Sequence, residues 1–147
     1  MLIISLTCIA LIALATVLHY EVLSGLSHWL PGLSMRGRAK VLVVVLMVFL
    51  AHAMEIALYG SGFHVLANHL GLGGFTGGAH ASLSNCLYFS AETYSSLGFG
   101  DLTPSGPMRL LAGVEALNGL LLIGWSASYI YISMERFWSR DPARPVP

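Results

Sequence analysis

Residues 93–101 read TYSSLGFGD, a short stretch in which two glycines alternate with bulkier residues directly after an apolar segment. Gly98 and Gly100 can adopt positive φ without a Cβ clash, so the backbone around them can turn successive carbonyl oxygens in one direction. A row of carbonyl oxygens can replace the hydration shell of a cation. The stretch therefore predicts an irregular backbone that binds a cation. The surroundings of this backbone follow from the rest of the chain.

The composition of the chain indicates a membrane protein. Only 10% of the 147 residues are charged, and 56% are hydrophobic, whereas soluble domains carry roughly 25% charged residues. A chain this small cannot bury so much apolar surface in water. Seven basic and seven acidic residues give a formal net charge of zero, which disfavours a nucleic-acid partner because no basic field exists. Membrane lipids are the expected surroundings.

Three apolar segments, predicted at 2–18, 41–59 and 110–134, are long enough to cross a hydrocarbon core of about 30 Å as helices. A cleaved signal peptide is a weaker interpretation of the first, because no basic residue precedes it. Six of the seven basic residues lie at 34–40 or after residue 134, and the positive-inside rule assigns both places to the cytoplasm. We therefore expect the N-terminus outside and the C-terminus inside.

The segment between the second and third spans is unusual. Residues 60–81 are rich in Gly and His and predict an outer loop or a short interfacial helix. Residues 82–95 predict about three helical turns with Ser82 or Ser84 as N-cap, too short to cross a membrane. A short apolar helix followed by a glycine turn indicates a re-entrant segment, whose backbone must be buried in protein or line a watery path.

Together with the residues that flank it, the 93–101 stretch resembles the selectivity filter of potassium channels. Residues 92–104 read ETYSSLGFGDLTP, similar to the family pattern E-T-x-T-T-V-G-Y-G-D-x-x-P. Tyr88 and Phe89 stand where the family places aromatic residues on its pore helix. The resemblance covers roughly 41–134, the unit of outer helix, pore loop and inner helix, and leaves the first span outside.

The resemblance implies an all-α integral membrane protein with three transmembrane helices, a re-entrant pore helix and a selectivity filter. A homotetramer is implied as well, because one chain has one filter segment and the family's ring takes four. The expected domains are an extra N-terminal helix with an interfacial segment, a pore domain and a short cytoplasmic tail, at 1–33, 34–135 and 136–147. Within the pore domain, the expected elements are an outer helix (41–59), an outer loop (60–81), a pore helix (82–95), the filter (96–101) and an inner helix (108–134).

The resemblance also assigns the ion-binding residues. It implies that potassium ions are bound by the backbone carbonyls of Ser96, Leu97, Gly98 and Phe99 and by the hydroxyl of Ser96. Gly100 completes the filter. Potassium is then the transported species, and neither a cofactor nor an enzymatic step is expected. Ser96 replaces the usual Thr and Leu97 a β-branched residue, which loosens side-chain packing and leaves a weakly selective monovalent cation channel as the alternative.

Three residues are expected to support the filter: Tyr88, Glu92 and Asp101. The resemblance implies that Glu92 and Asp101 are coupled behind it. The other interpretation is that Glu92 satisfies a backbone group while Asp101 caps the outer mouth. Gly119 falls at the family's gating hinge, and close helix packing explains a glycine there equally well.

Ionisable residues within spans are functional candidates by default. His52, Glu55 and Glu115 are predicted at similar depth, with Asn118 one turn beyond Glu115. They suggest a metal or proton site, and with it a rival class, a small membrane metal-binding protein or metalloenzyme. Interhelical hydrogen bonds are the simpler interpretation. The sequence assigns neither a gating stimulus nor a role for the first span.

Overall fold

A computed structural model describes residues 1–76 and 80–138 of the chain. It contains four α-helices: α1 (Leu2–Trp29), α2 (Gly37–Asn68), α3 (Leu83–Tyr94) and α4 (Met108–Trp138). A 3-10 turn at Leu30–Gly32 follows α1. α1, α2 and α4 are long and apolar enough to cross a membrane, which confirms the predicted all-α membrane fold. Of the predicted tail, residues 139–147 lie outside the described residues.

All three spans are longer than the sequence predicts, and α4 continues to Trp138, past the expected end of the inner helix at residue 134. α1 continues to Trp29, past the expected end at residue 18, and α2 continues to Asn68. The structure thus corrects the predicted loop at 60–81, whose first nine residues are helical. The glycines that suggest a loop instead allow close contact between helices. A Cβ on Gly62, for example, would lie 2.8 Å from Leu11 Cδ1 of α1.

The short helix α3 is held between α2 and α4 by two close backbone approaches. A Cβ on Gly60 of α2 would lie 2.9 Å from the Leu87 side chain and 3.1 Å from its Cα. A Cβ on Gly119 of α4 would collide with the Tyr94 carbonyl group at the end of α3. Glycine therefore allows both long helices to touch the pore helix. Close packing is the role that the structure shows for Gly119.

The ends of the re-entrant segment are also fixed. The Ser82 hydroxyl caps α3 by accepting a hydrogen bond from the Asn85 amide at 3.2 Å. Before α3, β1 (Gly74–Phe75) pairs antiparallel with β2 (Pro104–Ser105), which follows the filter. Phe89 on α3 packs edge-on against Phe75, with ring centroids 5.1 Å apart. The stretch before the pore helix is thereby tied to the stretch after the filter.

Two apolar clusters hold the bundle together. The pore-helix cluster packs the first half of α1 against the second half of α2, α3 and the start of α4; its members include Ile4, Cys8, Leu11, Ala15, Tyr59, Phe63, Leu66, Cys86, Phe89 and Leu111. The basic-end cluster lies where α2 begins and α4 ends, with Leu23, Leu30, Val41, Val44, Val48 and Phe137 as its core. At that end the Lys40 ammonium donates to the Pro31 carbonyl at 3.0 Å. The beginning of α2 and the end of α4 thus lie together.

Gly119→Ala should destabilise the protein by about 1–3 kcal/mol, because the added methyl group overpacks the contact with Tyr94. Gly124→Ala on the same helix is the control, since nothing lies within 4 Å of its Cβ position. We expect thermal unfolding of the purified protein to show a lower midpoint for Gly119→Ala alone. Equal midpoints for the two variants would contradict the packing role.

Candidate functional site

The filter segment leaves α3 with its amides directed back at the helix. The Ser96 amide donates to the Thr93 carbonyl at 3.0 Å, and the Leu97 and Gly98 amides donate to the Glu92 carbonyl at 2.9 and 3.2 Å. The Phe99 amide donates to the Glu92 carboxylate at 3.0 Å. Within the described part of the chain, the carbonyls of 96–99 accept no hydrogen bond. Four consecutive amides are thus satisfied on one side, and the carbonyl oxygens are left for another partner.

Positive φ recurs at every second residue of this segment. Gly98 and Gly100 have φ of 57° and 80°, as the sequence predicts, and Ser96 has φ of 56°. Alternation of left-handed and right-handed backbone sends successive amides to one side of the chain and carbonyls to the other. The positive φ of Ser96 was not predicted, and its position two residues before Gly98 is the signal that could have indicated it. A non-glycine residue in this region is strained, and such strain concentrates at functional sites.

Glu92 and Asp101 have separate partners. Glu92 is buried, with 4% of its surface exposed, and its carboxylate accepts from the filter backbone at Phe99. Asp101 is exposed and accepts from the Tyr88 hydroxyl at 3.1 Å. The described residues show no hydrogen bond between the two carboxyl groups. The geometry therefore matches the second interpretation, in which Glu92 satisfies a backbone group, and does not show the expected coupling.

The filter's side chains are exposed on the single chain. Leu97 keeps 61% of its surface exposed and Phe99 keeps 66%. Glu92, one helical turn earlier, is buried among α3 and the filter backbone. The segment thus has a supported side and an open apolar side.

The ionisable residues inside the spans fall into two groups, and this corrects the predicted grouping of His52 and Glu55 with Glu115. The Glu55 carboxylate lies 3.0 Å from His52 Nδ1, and a residue the sequence did not single out, His19 of α1, contacts it at 2.8 Å. Glu115 instead lies 2.5 Å from the Ser90 hydroxyl. Asn118 donates to the Tyr59 hydroxyl at 3.1 Å.

His19 and Glu55 are 36 residues apart, and the signal that could have paired them is the short connection between the first two spans, because helices joined in this way are usually neighbours. Their antiparallel helices bring them together. Glu115 remains at the pore helix, where its second carboxyl oxygen has no hydrogen-bond partner among the described residues. Asn118 connects α4 to α2, as the simpler interpretation of interhelical hydrogen bonds expects.

Comparison with known proteins places these features in a family. Residues 41–136, about two thirds of the chain, match the family described as "Ion channel". A 56-residue segment is 38% identical to the inward rectifier potassium channel Kirbac3.1 of Paramagnetospirillum magnetotacticum, covering 37% of this chain and 19% of that protein. No solved structure matches. These findings confirm the resemblance to potassium channel pore domains and indicate a channel, not an enzyme. The chain belongs to the ion channel family.

Proposed function

We propose that four copies of this chain form a channel that conducts potassium passively through a filter of backbone carbonyls. The ligands are the carbonyls of Ser96, Leu97, Gly98 and Phe99, with the Ser96 hydroxyl. The observation that carries the proposal is the bonding of four consecutive filter amides back to the pore helix and Glu92. Since those amides are satisfied, the opposite carbonyls are free to replace a cation's water.

Two features support a tetramer. One chain supplies one row of carbonyls, which cannot surround an ion, and membrane pores complete such a ring with four copies of the filter. The open apolar side of the filter, with Leu97 and Phe99 largely exposed, needs a protein neighbour because irregular backbone at membrane depth is not left facing lipid. Assembly around a shared axis meets both needs.

The helix α3 adds an electrostatic contribution. Its last turn ends at Tyr94, immediately before the filter, and the C-terminal end of a helix carries partial negative charge. A cation that loses water near this end gains a favourable interaction. Pore helices aimed at the axis would therefore favour cations over anions.

The orientation follows from the basic residues. Gly37, at the start of α2, touches the Phe137 backbone at the end of α4, so Arg36, Arg38 and Arg136 lie at one end of the bundle. The positive-inside rule assigns that end to the cytoplasm. We infer that the N-terminus is outside, the C-terminus is inside and the filter lies toward the outer face.

A weakly selective cation channel on the same scaffold is the second candidate. It is favoured by Leu97 and Ser96, which replace the β-branched residue and the Thr of the family pattern and so loosen side-chain packing around the carbonyl row. A filter with less support can adjust its carbonyls to a smaller ion. Selectivity is therefore the property that separates the two candidates.

Purified protein in planar bilayers should pass a potassium current whose reversal potential shifts by about 59 mV for each tenfold change in the potassium gradient. Replacement of potassium by sodium on one side should leave the reversal far from zero. A reversal near zero under sodium would favour the weakly selective candidate.

Gly98→Ala should abolish current, because alanine rarely adopts positive φ, and an unchanged current in that variant would contradict a filter at this position.

Glu92→Gln should keep most of the current, because its amide oxygen can still accept from the Phe99 amide. Glu92→Ala should reduce the current and its duration, since a buried amide without a partner costs about 1–3 kcal/mol. Single-channel recording compares the two variants at equal protein amounts. Equal damage in both would show that the charge of Glu92, and not its backbone hydrogen bond, supports the filter.

A further inference from the structure

Four helices meet at a buried polar cluster, which we call the His–Glu cluster: His19 of α1, His52 and Glu55 of α2, Tyr94 of α3 and Ser126 of α4. The Glu55 carboxylate contacts His19 Nδ1 at 2.8 Å and His52 Nδ1 at 3.0 Å. The Tyr94 hydroxyl donates to the same carboxylate and lies 2.9 Å from His52 Nδ1. Within this cluster, the Glu55 carboxylate links His19 of the first helix to Tyr94 at the end of the pore helix.

The cluster lies between the two apolar clusters of the bundle. On α1, His19 is flanked by Ala15 of the pore-helix cluster and Leu23 of the basic-end cluster. His19 and Glu55 are fully buried. Polar groups at such depth are costly and are retained for function, and the filter proposed above does not use this set.

The orientation of the two imidazole rings is informative. Both Nδ1 atoms face Glu55, whereas both Nε2 atoms face one oxygen, Ser126 Oγ, at 3.1 Å from His19 and 3.0 Å from His52. A serine hydroxyl has one proton to donate and two lone pairs to accept with. Without another ligand it can donate to only one of the two nitrogens, so the second Nε2 must carry a proton of its own.

A metal ion at the two Nδ1 atoms would fit this arrangement. Metal-bound Nδ1 leaves the proton on Nε2, and Ser126 Oγ can accept from both rings at once. Metal-ligating histidines characteristically donate their other N–H to an outer partner that fixes the tautomer. The nitrogens distant from Glu55 are thus already arranged as the outer contacts of a metal site require.

The inner atoms have suitable chemistry. One ligand atom from each of His19, His52 and Glu55 lies within 4.8 Å of the others, and two imidazoles with one carboxylate form a known zinc donor set. Bonds of about 2.0–2.1 Å hold tetrahedral ligands roughly 3.3 Å apart, so the contacts of Glu55 with the two Nδ1 atoms, now 2.8 and 3.0 Å, would open slightly around an ion. The Tyr94 hydroxyl oxygen, which already contacts His52 and Glu55, adds a fourth donor.

We propose that His19, His52, Glu55 and Tyr94 bind one divalent transition-metal ion of the zinc class in each chain. The ion clamps α1 to α2 and, through Tyr94, to the end of the pore helix. His52 keeps 17% of its side chain exposed, which provides a route of entry. Binding of the ion stands independently of the proposed conduction.

The test uses full-length protein stripped of metal with a chelator and then equilibrated with zinc. Elemental analysis should find about one zinc ion per chain in the unaltered protein, and cobalt in its place should give visible absorption bands of a four-coordinate site. His19→Gln should lose the bound ion and the bands. His28→Gln, an exposed histidine on the same helix, is the matched control and should retain both.

Ser126→Ala keeps every ligand and should weaken zinc affinity by about 10–100-fold, the usual effect of removing an outer partner. Since this change is small, it remains informative if His19→Gln fails to fold. Absence of zinc from the unaltered protein, or equal affinity in Ser126→Ala, would overturn the proposal. Potassium flux of the stripped protein is measured in parallel, so that loss of the metal site and failure of the proposed conduction are distinguished.

Discussion

The architecture depends on the close contact of a short helix with two long ones. A twelve-residue helix cannot cross a membrane, and the irregular backbone that follows it has carbonyls that no secondary structure satisfies. Both are tolerable only inside protein. Gly60 and Gly119 allow α2 and α4 to approach α3 at backbone distance, and the pore helix then provides the acceptors for the filter amides. Glu92 extends this support to Phe99.

Much of the fold was predictable because the bilayer imposes it. Apolar runs of sufficient length with at most one charged residue predict spans, and the order of span, short helix, glycine turn and span predicts a re-entrant loop. The extent of α2 was not predictable in the same way. Glycines at 60 and 62 are typical of a loop when read alone, and they prove helical because each contacts a neighbouring helix, at Leu87 and Leu11. Local composition does not contain that information.

The site shows the same division. Positive φ at Gly98 and Gly100 follows from the residue type, and the family resemblance located the filter. The separate partners of Glu92 and Asp101 depend on the three-dimensional path of the chain. The same is true of the neighbour of Glu55, which is His19 and not the predicted Glu115. The first helix, which the sequence left without a role, contacts the pore unit through that histidine and through the pore-helix cluster. Its role is therefore visible only once the helices are packed.

A structure of the assembled protein in potassium, determined by electron cryomicroscopy in a lipid environment, tests the central claim most directly. The account predicts a fourfold assembly with ion density on its axis, between rings of carbonyl oxygens from residues 96–99. The filter amides should remain bonded to α3 and Glu92. A monomer or dimer, or a fourfold assembly in which these carbonyls turn away from an axis without ion density, would contradict it.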